Sequence, residues 1–85
     1  MTSLGPDLEK IDQLLAVLAA SPAPQSRLVE EHAQFARAYL LGAMPEECEA
    51  TLAMARDAAG DVPDAATRDG ALSLIDAVIS ARQPR

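Results

Sequence analysis

RLVEEHAQFARAYLLGAMPEECEATLAMARDAAG, residues 27–60, reads as two helices joined by a tight bend at Gly42-Ala43-Met44-Pro45. The stretch holds the chain's only phenylalanine (Phe35), its only tyrosine (Tyr39), its only histidine (His32) and its only cysteine (Cys48). On the first of these helices the three- and four-residue spacing predicts a core stripe of Leu28, His32 or Ala33, Phe35, Ala36, Tyr39 and Leu40. On the second it predicts burial of Cys48, Leu52, Ala55 and Ala59, with Thr51 alongside. Gly42 is expected to take the left-handed conformation that closes a helix, and Pro45 suits the first turn of the next. Glu46, Glu47 and Glu49 then stand at the positive end of a helix dipole, and Gly60 stops the helix. Phe35, Tyr39, Leu40, Cys48 and Leu52 are the expected structural anchors.

Working outward, a first helix is expected over residues 6–20. Gly5-Pro6 opens it, and Leu8, Ile11, Leu15 and Leu18 form one apolar stripe that Leu14 and Val17 widen. Ser21-Pro22-Ala23-Pro24 ends it, because two prolines remove N–H donors that a continuing helix needs. The second helix is expected over 24–41, with Ser21 or Ala23 at its cap position, and the third over 45–59. Arg27 precedes Glu30 and Glu31 by three and four residues, which offers surface ion pairs worth a few tenths of a kcal/mol, roughly. Asp61-Val62-Pro63-Asp64 signals a turn, and Asp61 or Asp64 caps a fourth helix over 64–82 with Ala71, Leu72, Leu74, Ile75, Val78 and Ile79 as its apolar positions. Gly70 interrupts that helix, which implies either a late start or a neighbouring backbone passing close. Alternation of the strand type is absent, so the expected class is all-α, one small domain over 1–85 built as a four-helix bundle or as stacked helical hairpins.

Composition narrows the function. A chain of 85 residues with 2 % aromatics and no Trp must build its core from Leu, Ile, Val, Met and alanine, and such a core can leave an apolar face for a partner or a second copy to cover. A net charge of −6 argues against nucleic acid and against an anionic membrane surface, since both need clustered Lys and Arg. The charge is uneven: residues 44–60 carry −3, whereas residues 22–43 are neutral. One cysteine makes no internal disulfide, no secretory leader pattern is recognised, and the longest apolar run, Leu14 to Ala20, is seven residues, so the expected compartment is the cytoplasm.

Within the central stretch, Ala33, Phe35-Ala36-Arg37-Ala38-Tyr39-Leu40-Leu41-Gly42 and Pro45-Glu46-Glu47-Cys48-Glu49-Ala50 resemble a single tetratricopeptide repeat, residues 33–60, about a third of the chain. Tyr39 to Cys48 is nine residues and Cys48 to Ala55 is seven, which matches the family's aromatic, small, small series. The pattern departs at Ala36, where a glycine is usual, at Gly42, one position early, and at Pro63, which closes late. The resemblance implies a helical hairpin that recognises protein or peptide; it implies no particular ligand.

Chemical constellations are weak by comparison. Glu30, Glu31 and His32 with Cys48 are the nearest approach to a metal set, yet the neighbours Glu31 and His32 point ~100° apart on a helix. Cys48 lies near a helix N-terminus, where a thiolate is favoured, but three glutamates surround it and no relay residue is recognisable. An acyl-carrier motif fails because Leu72, not Asp, precedes Ser73-Leu74. No catalytic residue and no cofactor is expected. The expected function is a non-enzymatic protein–protein interaction or assembly module, its partner another protein or itself as a homodimer, with the partner surface on the first or fourth helix. The alternative is a small-ligand or metal-binding bundle, an accessory subunit of an enzyme that uses His32 with Glu30 or Glu31.

Overall fold

Prolines and glycines cut the chain into four segments long enough for helices, and the computed structural model, which describes residues 4–82, folds each segment so. The helices are α1 (Leu4–Ala19), α2 (Pro24–Leu41), α3 (Pro45–Ala59) and α4 (Ala65–Arg82), and among the described residues there is no strand. Pro24 and Pro45 occupy the opening turns of α2 and α3, where a missing N–H costs no helix hydrogen bond. Ala23 is the N-cap of α2 and supplies no side-chain bond; Ser21 instead accepts from the Ala23 N–H at 3.4 Å and from the Ser26 hydroxyl at 2.8 Å. Before α4, Asp64 Oδ2 accepts from the Thr67 backbone N–H at 3.0 Å and from the Thr67 hydroxyl. These bonds, the hydroxyl's first, hold the Asp64 carboxyl below its ordinary range.

Packing follows a ring. α1 lies on α2, α2 on α3, α3 on α4 and α4 on α1, while the diagonal pairs do not pack; the α2–α3 contact is the most extensive. Successive helices alternate in direction. The α1–α2 and α3–α4 connections therefore share one end, where Ala20–Ala23 face Pro63, Asp64 and Thr67. At the other end Arg82, in the last turn of α4, reaches Asp7 of α1 at 3.4 Å and lies 3.7 Å from Glu49 of α3. Arg82 and Asp7 are largely buried while Glu49 keeps 41 % of its side chain exposed, so the triad joins three helix ends at the edge of the core. Two exposed pairs brace the sides, Arg37–Asp12 at 2.8 Å and Arg56–Asp76 at 2.9 Å, each worth about 1 kcal/mol at most.

The core is aliphatic and alanine-rich. Ile11, Leu14 and Leu18 of α1 meet Val29, Ala33, Ala36 and Leu40 of α2, then Cys48, Leu52, Ala55 and Ala59 of α3, and Ala71, Ile75 and Val78 of α4. Val62, in the connection before α4, is buried with them.

Four expectations need correction. Phe35, expected as an anchor, is 59 % exposed, and Leu28 is 50 % exposed. The α2 core runs through Ser26, Val29, Ala33, Ala36 and Leu40, one residue round the helix, because small side chains let α1 and α3 close on α2 and leave no room for a ring. Gly42 has φ −84°, and the left-handed residue is Ala43 at φ 58°. Gly70 marks neither a late start nor a backbone crossing: α4 begins five residues earlier, at Ala65, and a Cβ at Gly70 would meet only the Val17 side chain, at 4.0 Å. Among the described residues Arg27 forms no ion pair with Glu30 or Glu31.

Candidate functional site

α2 carries two apolar rows. Val29, Ala33, Ala36 and Leu40 form the buried one. Leu28, His32, Phe35 and Tyr39 repeat the same 4-3-4 spacing one residue earlier, hence ~100° round the helix, on the side that borders α3. His32 and Tyr39 are half-buried, and Phe35 and Leu28 project. From α3, Thr51 and Met54 face this row, and with His32, Phe35 and Tyr39 they line a shallow cleft of about 220 Å³. Met54 is 49 % exposed. A second depression, about 450 Å³, lies over the outer side of Phe35, between Glu31, Gln34 and Ala38. Leu41 and Met44 extend the exposed apolar residues to the α2–α3 bend.

Every large exposed hydrophobic side chain among the described residues belongs to α2, α3 or the bend between them. The partner surface is expected on α1 or α4, whereas these side chains lie on α2, α3 and the bend. A folded chain hides its apolar surface where it is able to, and an aromatic ring left more than half in water beside a cleft is the most informative feature of this surface.

The groove's charges are asymmetric. Glu31 borders Phe35, and on α3 Glu47 precedes Thr51 by four residues, which sets its carboxylate in the row that faces α2. Neither carboxylate is ion-paired among the described residues. Arg37 and Arg56 turn the other way, to Asp12 on α1 and Asp76 on α4. Arg27, four residues before Glu31, is the one cation of α2 and α3 that lacks a carboxylate within 4 Å among the described residues.

The residues proposed from sequence as metal ligands or nucleophile do not converge. His32 lines the cleft, Glu31 lies round the outer side of α2, and Cys48 is fully buried. Among the described residues no three of His, Cys, Asp and Glu are placed to share a metal ion. Leu40, Cys48 and Leu52 sit in the core, and Tyr39 packs against its edge. A depression of about 580 Å³ at the end formed by the two connections is lined by the Asp64–Thr67 and Ser21 groups, which already bond one another or Ser26. Sequence reading missed Met54, and the signal for it was its seven-residue step from Glu47 through Thr51, a row parallel to the buried one. No described helix is long and apolar enough to cross a membrane. No family model, no curated protein and no solved structure matches the chain.

Proposed function

We propose that the protein is a non-enzymatic protein–protein interaction module whose partner surface is the α2–α3 groove. The observation that carries this reading is Phe35, 59 % exposed beside a cleft, on a helix whose core face is complete without it. Aromatic and methionine side chains are enriched at the centres of binding surfaces, because each removes much apolar area from water on contact. The resemblance of residues 33–60 to a tetratricopeptide hairpin supports the same class of function, and both readings rest on the α2–α3 pair.

The test is site-specific photo-crosslinking in cells that express the full chain, with a benzophenone side chain at position 35 or, as control, at the exposed Gln13 of α1. The reading predicts a discrete protein adduct at position 35 that is absent at position 13. Equal adducts at both positions, or none at 35, would remove the groove from consideration.

A further inference from the structure

We infer that the occupant of the groove is an amphipathic helix of a partner protein, with Lys or Arg along its flanks. The inference rests on the groove being the partner surface, and it adds the partner's chemistry. Leu28 to Tyr39 spans eleven helical steps, or ~16 Å, so the row offers a track for about three turns of an incoming helix. Two adjacent helices with an apolar furrow between them present the shape that receives a helix whose own apolar residues recur at three and four positions. Thr51 and the half-buried His32 and Tyr39 supply the floor, Phe35 and Met54 the rims, and Met54 is flexible enough to adapt to the side chain it meets.

Charge selects the flanks. Glu31 borders Phe35 and Glu47 stands in the Thr51–Met54 row, both without ion partners among the described residues, whereas Arg37 is engaged with Asp12 of α1 and Arg56 with Asp76 of α4. α3 as a whole carries three more acids than bases, and Arg27 is the single unengaged cation of the pair among the described residues. A basic flank on the incoming helix would pair with these carboxylates, steer the encounter and discriminate against acidic helices. A second copy of this chain meets the opposite situation. It brings Arg27 as the one unengaged cation of its α2 and α3 among the described residues, too little to match these carboxylates, on chains that each carry a net −6.

The inference is tested by titrating the isotope-labelled full chain with three synthetic peptides of about eighteen residues and following backbone amide resonances. One has a leucine stripe at helical spacing with lysine flanks, the second keeps the stripe but has glutamate flanks, and the third scrambles the first. The lysine peptide should bind saturably and shift residues 28–39 and 47–58, while the other two should leave these residues unmoved. Its affinity should fall at least tenfold with Phe35→Ala, and again with the double change Glu31→Lys and Glu47→Lys. Both sites are exposed, so the unchanged amide pattern of α1 and α4 serves as the folding control. Shifts spread over the acids of α1 and α4, equal binding of the scrambled peptide, or indifference to both variants would overturn the inference. So would self-association through residues 28–39 that excludes the peptide. If crosslinking at position 35 captures a protein but the lysine peptide fails here, the groove stands and its assigned partner chemistry falls; if crosslinking fails, the groove itself falls.

Discussion

At the residue scale, Cys48 and Phe35 exchange the roles their chemistry suggests. A thiol beside three glutamates near a helix start invites a reactive reading, yet Cys48 has no exposed surface and belongs to the same cluster as Leu52 and Ala55. Burial pushes its pKa above the ordinary 9.0; the Arg82 guanidinium opposes this, and Asp7 and Glu49 add to it. The unfolded chain therefore loses this proton first as pH rises, so the folded state holds more protons above pH 9.0 and stability must fall there. The expected result is a steeper alkaline loss of unfolding free energy in the native sequence than in Cys48→Ala. Equal slopes would mean that the thiol titrates alike in both states. Phe35, by contrast, is the residue whose size argues for the core and whose position denies it.

At the element scale, the α2–α3 bend is closed by a Schellman motif with an unusual residue in it. The Met44 N–H donates to the Tyr39 carbonyl at 2.9 Å and the Ala43 N–H to the Leu40 carbonyl at 3.2 Å, which places Ala43 at the left-handed position. An L-residue there is strained by ~1–2 kcal/mol, and glycine would relieve this while adding disorder to the unfolded chain. Ala43→Gly should raise unfolding free energy by ~0.5–1 kcal/mol, measured by chemical denaturation; a loss of stability would contradict the assigned cap. Gly42 was legible as the helix stop but not for the right reason. Its φ is negative, and a Cβ there would come within 3.3 Å of the Ala38 carbonyl oxygen.

The same scale shows why some helix faces were legible and one was not. On α3 the row Cys48, Leu52, Ala55 and Ala59 holds the helix's one leucine and its cysteine, so size and spacing favour the same face, and that row is buried. On α2 two rows compete, and residue size favours the wrong one. Leu28, Phe35 and Tyr39 outweigh Val29, Ala33 and Ala36 by area, but close approach of neighbouring helices rewards small side chains over large ones. That preference depends on α1 and α3 both flanking α2, a fact of tertiary packing that no window along α2 contains. The candidate groove is hidden for the same reason: size and spacing place Phe35 and Tyr39 in the core, and Met54 stands outside every stripe. The Arg82 triad was equally out of reach, because it joins residues 75 positions apart.

At the scale of the whole molecule, the four contacts form a closed ring, and each helix has a buried row. The ring is closed by α1 on α4, and the exposed α2–α3 row lies outside its buried cluster; on the proposed reading that row serves recognition and not folding. The most direct measurement is solution mass by light scattering over a wide concentration range, with helicity followed on the same samples, for the native sequence and for Phe35→Ser. The account predicts a mass near 8.9 kDa and constant helicity at every concentration for both proteins, with unfolding free energies within ~0.5 kcal/mol of each other. A native mass near twice that value, with helicity that falls on dilution and a collapse of both in Phe35→Ser, would show that the row completes the fold and contradict the account.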